Sequence, residues 1–348
     1  MVVPGSIPNM MRSVANAFVS GFEFKVQSFP FLCEMISIPH KAKQFLVLLL
    51  KLLIVGGAFY FIYQQLVSND KLEWNKFLIV FKKNQSILGI LFILSLSVLN
   101  RFLEILKWQN LAQVVRPISL REATKQVLAA LTAGLFTPNG IGEYAGKALF
   151  FDKKEAKKIV FLNLICNGIQ MLLTILFGVF GLLYFNMLYQ VMTVQTIGIL
   201  FFGIIILIVV LFSVKKITIK GYSIEKLLHK INAIPKDIHR KNVVLGCFRY
   251  LVFSHQYYFL FLAFDVHLPY LALMSTIAAV YFLASSLPTF QFLDFAVKGS
   301  VALFFFGLLG VNEWVVIFIS TLMWFLNVVI PVVIGSYFVL SFKTDKVC

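Results

Sequence analysis

Two stretches of this 348-residue chain set an acid and a lysine four residues apart, a few residues behind a proline. The first is Thr137-Pro-Asn-Gly-Ile-Gly-Glu-Tyr-Ala-Gly-Lys147, and the second runs from Pro288 to Asp294-Phe-Ala-Val-Lys298. A spacing of four puts acid and lysine on one face of a helix. Proline removes a backbone N–H and glycine permits tight turns, so residues 137–142 should unwind and a new helix should start near Gly140–Glu143. Such a helix start carries partial positive charge and unpaired N–H groups, which suit a phosphate or carboxylate. Lys147 would join the bound anion, while Glu143 would orient Lys147 or meet a cationic group. The plainer reading is that each pair neutralises itself and holds a hairpin shut. Both readings stand at this point.

The elements that must position these residues are membrane spans. Hydrophobic residues make up 60% of the chain and charged ones 13%, with 38 phenylalanines; a soluble chain carries about 25% charge. Mean hydropathy is +0.89. Apolar runs at Gln44–Val67, Ser86–Asn100 (continuing to Trp108), Ile159–Phe185, Val191–Val214, Val243–Phe264 and Tyr270–Leu287 approach or exceed the ~20 residues of a crossing helix. The fold class is all-α: a polytopic helix bundle of about 7–9 hydrophobic segments in the cell (inner, cytoplasmic) membrane. Charged, helix-breaking stretches inside it must line a polar cavity or be buried in protein.

Net charge is +16. In a membrane chain this reflects basic cytoplasmic loops rather than nucleic-acid binding. Residues 215–241 form a basic insert with eight Lys/Arg against Glu225 and Asp237. Within it Ile224, Leu227, Leu228 and Ile231 share one helical face, opposite Lys226 and Lys230, as in a helix lying on a membrane surface. Cys33, Cys166, Cys247 and Cys348 lie far apart, and the five histidines have no ligand spacing; neither a metal, a cofactor nor a disulfide framework is expected. The aspartates never cluster as Mg²⁺-dependent prenyl transfer requires, and Arg116-Pro117 and Ser254-His255 are only misplaced fragments of a lipid-phosphatase pattern. Residues 1–34 lack a signal-peptide core and read as a disordered or non-native extension, with Met35 as the start. Residues 35–348 read as one membrane domain.

The two broken stretches belong to a repeat. Arg101 and Arg249, Pro138 and Pro288, Glu143 and Asp294, and Lys147 and Lys298 are offset by 148, 150, 151 and 151 residues. Repeat one covers about 86–185 and repeat two about 243–340. With the basic insert cytoplasmic, the span after it runs opposite to Ser86–Trp108, so the halves are inverted and their re-entrant breaks approach each other within the membrane, as in many transporters. The side of the C-terminus depends on whether Tyr270–Leu287 crosses fully.

Ala133-Gly-Leu-Phe-Thr-Pro-Asn-Gly-Ile-Gly-Glu143, with Lys147 and the upstream Asn100-Arg101 and Trp108, resembles the Pro-Gly-x-x-Gly-Glu signature and Arg/Trp span of the lysylphosphatidylglycerol synthase transmembrane region, a flippase-like family. The similarity covers roughly residues 44–340. Asn139 replaces the glycine after the proline, and the second break has Thr289-Phe-Gln-Phe292 where a Gly-Gly pair is usual. The resemblance implies the lipid-translocating half without the soluble aminoacyl-transferase domain.

The expected function is to bind a phospholipid or polyprenyl-phosphate-type lipid, through its anionic headgroup, and move it between leaflets without enzymatic chemistry. The candidate substrate-binding residues are Arg101, Pro138, Asn139, Gly140, Gly142, Glu143, Lys147, Arg249, Asp294 and Lys298. The arginines have a blander alternative, snorkelling to the interface. The alternative functions are an accessory subunit partnering a glycosyltransferase or other membrane enzyme, and a lipid-phosphate enzyme.

Overall fold

The computed structural model describes residue 60, residues 86–135, 137, 140–193, 223–287 and 289–341, with isolated residues between 195 and 213. All belong to one compact unit, Leu53–Cys348. The expected extension 1–34, the span 44–67 except residue 60, more than half of the 191–214 run, and Pro138, Asn139 and Pro288 lie outside the described residues.

Among the described residues every regular element is a helix. They are α1 (Ile87–Ala112), α2 (Leu120–Leu135), α3 (Ile141–Ala148), α4 (Ala156–Tyr189), α5 (Ile224–Asn232), α6 (Lys236–Ala263), α7 (Tyr270–Ser286), α8 (Asp294–Leu308) and α9 (Glu313–Leu340). A short 3₁₀ turn, Gln291–Leu293, leads into α8. Among the described residues four segments are long and apolar enough to cross a membrane: α1, α4, 291–308 and α9. The chain is an all-α, multi-pass membrane bundle.

α1 explains why such a helix is stable only in lipid. Ile87, Leu88, Leu91, Phe92, Val98 and Phe102 point outward, whereas Ser97, Asn100, Glu104, Lys107 and Asn110 are buried. The polar set recurs every three or four residues and so makes one stripe. The usual pattern of a water-soluble helix is reversed, with hydrocarbon on the outside and polarity within.

α1 and α6 run antiparallel. Asn110 donates to the Ile238 carbonyl at 2.9 Å, Arg249 reaches Asn100 at 3.2 Å, and Gln256 donates to the Ile93 carbonyl at 3.2 Å. The starts of α1 and α6, α2 and α7, and α4 and α9 are offset by 149, 150 and 157 residues. The packing exchanges in the same way. A Cβ on Gly178 of α4 would stand 3.2 Å from the Ala278 carbonyl oxygen of α7, and one on Gly335 of α9 would stand 2.2 Å from that of Leu128 in α2. Gly178 and Gly335 are equivalent by the 157 offset, as Leu128 and Ala278 are by the 150 offset. Small residues let these backbones approach, the usual basis of helix association in membranes. The equivalent helices α1 and α6 thus run antiparallel, and the two halves meet along them.

α2 and α3 fold back on each other. Cβ atoms on Gly142 and Gly146 would meet Ala133 and Ala130, at 2.2 Å from the Ala133 oxygen and 2.9 Å from the Ala130 Cα. Rising numbers in α3 therefore meet falling numbers in α2, so the pair is antiparallel. α2 has 16 residues and α3 eight, or about 24 and 12 Å at ~1.5 Å per residue, short of the ~30 Å hydrocarbon core. This is the geometry of a re-entrant hairpin.

One boundary differs from that read in the sequence. The end of the basic insert, Lys236 to Lys241, is already helix α6. Pro331, a residue type that usually ends a helix, lies inside α9, which continues past it after a π-helical turn at Phe325–Val329. Asn312 does mark a boundary: its side chain caps α9 by accepting from the Trp314 and Val315 N–H groups. The amphipathic α5 forms as expected, with Ser223 accepting from the Lys226 N–H and Leu227 and Leu228 exposed.

Candidate functional site

The first broken segment is closed by its own side chains. Thr137 Oγ1 donates to the Gly134 carbonyl at 2.8 Å and accepts from the Gly142 N–H at 2.8 Å. The Glu143 N–H goes to the Gly140 carbonyl at 2.9 Å. Gly140 holds φ at 67°, a left-handed conformation that glycine adopts at low cost. Two N–H groups at the start of α3, expected to be open for an anion, are thus already bonded, because threonine supplies the cap. Any anion chemistry here falls to the side chains.

Lys147 is fully buried, at 0% exposure. Its ammonium donates to Glu143 at 2.8 Å and to Asn163 Oδ1 at 2.7 Å, and lies 4.7 Å from the centre of the Trp108 ring. Trp108 in turn donates to Gln126 at 2.7 Å. Lys147 is therefore held by a carboxylate, an amide and an aromatic face on α3, α4 and α1.

The two arginines share one carboxylate. Arg101 pairs with Glu104 on its own helix, and Arg249 reaches the same carboxylate from α6 at 3.3 Å. Arg101 also donates to the Asn327 carbonyl. That carbonyl is free because Pro331, four residues on, has no N–H to offer it. Asn327 joins the halves further: Asn100 donates to its Oδ1 at 2.7 Å, and its own amide donates to Gln256 at 3.0 Å. Glu143 lies within electrostatic reach of Arg101, and Lys147 and Lys107 within reach of Glu104. The arginines do not snorkel to an interface; they form the centre of a polar belt.

Asp294 and Lys298 pair with each other in α8, in the second half. One turn earlier Gln291 carries the contact between the breaks: Cβ atoms on Gly134 and Gly140 would lie 3.3 and 3.7 Å from its Oε1. The broken segments thus meet, through a residue the sequence reading did not select. Pro138 and Asn139 lie outside the described residues.

Sequence reasoning also missed Glu104, Lys107, Asn163, Gln256 and Asn327, all buried. Glu104 had a signal, standing three residues after Arg101. Asn327 had another, as a lone amide in the apolar run Trp324–Ile330. The whole belt sets four cations (Arg101, Lys107, Lys147, Arg249) against two carboxylates (Glu104, Glu143). Three donors in it have no acceptor: Arg101 Nε, Asn163 Nδ2 and Asn242 Nδ2. Among the described residues no group of three His, Cys, Asp or Glu side chains is placed to hold a metal ion.

A polar belt enclosed by lipid-facing helices, beside a broken hairpin carrying Pro-Asn-Gly-Ile-Gly-Glu, is matched by a known family: the sequence signature of the lysylphosphatidylglycerol synthase TM region covers residues 48–290. The chain belongs to that family. No curated protein and no solved structure matches it. Membership in the lysylphosphatidylglycerol synthase TM region family links the chain to membrane lipid metabolism or transport. The matched stretch contains the first broken hairpin, both arginines of the belt and the whole of α7.

Proposed function

We propose that this membrane domain binds the phosphate-bearing headgroup of an anionic lipid in its polar belt and moves that lipid between the leaflets of the cytoplasmic membrane. The observation that carries the reading is the imbalance within the belt: Arg101, Lys147 and Arg249 face two carboxylates, with the buried Arg101 Nε and Asn163 Nδ2 unpartnered. Buried charge and unpartnered donors are costly, and an acceptor-rich anion relieves both. Arg101 and Arg249 are the headgroup's main contacts, since a phosphate can take over from Glu104 the planar donors that Arg offers. Lys147, clasped by Glu143 and Asn163, fixes the hairpin against α1 and α4 and adds positive potential. Inverted halves fit alternating access around a central site. Nothing in this role requires covalent chemistry.

The test is reconstitution of the purified protein in vesicles with fluorescent lipids that differ only in headgroup. Accelerated leaflet exchange of anionic phospholipid, lost in Arg249→Gln, is the expected outcome. Equal rates for anionic and zwitterionic lipids, or unchanged exchange in the variant, would sink the reading.

A further inference from the structure

Lys107 is the one cation of the belt with no ion pair among the described residues. It is 1% exposed, and its ammonium donates to the Cys166 carbonyl at 3.1 Å and to Gln170 Oε1 at 3.2 Å. An ammonium has three N–H groups, so one is unspent. Glu104, the nearest acid on α1, is already taken by two arginines.

Asn242 lies on the face of α6 that packs on α1, one turn from the glycine that Lys107 reaches. On α6 the residues Ile238, Asn242 and Gly246 follow at intervals of four and share one face. Ile238 accepts from Asn110, and a Cβ on Gly246 would lie 3.9 Å from Lys107 Cε. Asn242 sits midway between these contacts, at the level of Lys107. It is 0% exposed, and both its amide atoms lack a partner.

We propose that Lys107 and Asn242 form a buried binding site for a halide-sized monovalent anion, separate from the lipid headgroup site. The ion accepts from the third Lys107 N–H and from Asn242 Nδ2, and one bound water donates to Asn242 Oδ1. A neutral water alone would leave the charge of Lys107 uncompensated in a low-dielectric interior, where an unpaired charge is expensive. The packing beside it is close, since a Cβ on Gly246 would lie 3.0 Å from Leu173 and 3.3 Å from Ile169, and close packing favours a small ion over a phosphate ester. An anion here neutralises the seam on which the two halves meet, and so makes the joint between them sensitive to chloride.

The test is thermal unfolding of the purified full-length protein in detergent, with sodium chloride or bromide replacing sodium gluconate at constant ionic strength. No lipid substrate enters, so the outcome is independent of the transport reading. A saturable rise in the midpoint with either halide is expected. Lys107→Met and Asn242→Leu should lose that rise. Equal midpoints in chloride and gluconate, a saturable response to phosphate but not to halide, or an unchanged halide response in both variants would each overturn the proposal. Should the variants fail to fold, bromide-soaked wild-type crystals decide: an anomalous peak between Lys107 and Asn242 upholds the site, and its absence removes it.

Discussion

The two halves share a frame but not a chemistry. Where the first half has Lys107 bonded to Gln170, the second has Gln256 bonded to Asn327, at offsets of 149 and 157. Where the first stacks Lys147 on Trp108 and ties it to Asn163, the second places Tyr257 against Ser320, 2.6 Å apart. The hairpins differ likewise: Gly142 and Gly146 correspond to Leu293 and Val297, and the eight-residue α3 to the 15-residue α8. The packing of the fourth helix on the second helix of the other half is nevertheless kept. Backbone architecture thus persisted in both copies, while charge and a tight turn are concentrated in one. The first half carries most of the polar belt, and the second adds Arg249, Gln256 and Asn327 to it.

That contrast can be broken by exchange of equivalent residues. The largest effect is expected for Gly142→Leu, which installs the residue found at the corresponding position 293. Its Cβ would stand 2.2 Å from the Ala133 oxygen, and overpacking against rigid backbone costs ~3 kcal/mol or more. Loss of monodisperse protein on size exclusion is expected, whereas Leu293→Gly should remain folded. A well-behaved Gly142→Leu protein would show that the hairpin is not closely packed.

Next comes Glu104→Gln, which leaves two arginines facing one neutral amide. Removing one member of a buried ionic cluster costs about 3–5 kcal/mol, so the unfolding midpoint in denaturant should fall sharply. Little or no change would mean that Glu104 does not hold the halves together.

Lys147→Ala and Lys298→Ala then compare the paired lysines. Lys147 is wholly buried, and its loss strands Glu143 at a cost of about 3–5 kcal/mol, with lipid exchange abolished. The Lys298 side chain is 27% exposed; its loss should cost no more than about 1 kcal/mol and leave most exchange intact. Parallel unfolding and vesicle assays check both, and equal losses would erase the functional distinction between the hairpins.

Gly178→Ala and Gly335→Ala should each cost about 1–3 kcal/mol by overpacking. Both contacts belong to the shared frame, so both variants should be destabilised. Stability unchanged in one of them would restrict the pseudo-symmetry to the α1–α6 seam.

Much of this frame was legible in the sequence. Apolar runs marked α1, α4, α6 and α7, and recurring residues at offsets of 148–151 pointed to a repeat. The proline and glycines after Thr137 marked the hairpin, because they remove a donor and a Cβ where the chain must turn. The belt was less legible. Glu104 and Lys107 occupy a stripe that can be recognised only once the lipid-facing side of α1 is known. Asn327 meets Asn100 and Arg101 across more than 200 residues of chain, and nothing local announces such a meeting. The capping role of Thr137 was also hidden, since it depends on how α2 and α3 close.

The distribution of partners around Glu104 bears on how the protein is made. Arg101 finds its carboxylate within one turn of the same helix, so α1 can enter the bilayer with that charge already offset. Arg249 has no such provision: its ionic partner Glu104 and its hydrogen-bonded partner Asn100 both belong to α1. An arginine at mid-bilayer costs about 2.5–3.5 kcal/mol on insertion when unpaired. During synthesis α6 should therefore insert more readily once α1 is in place to receive Arg249.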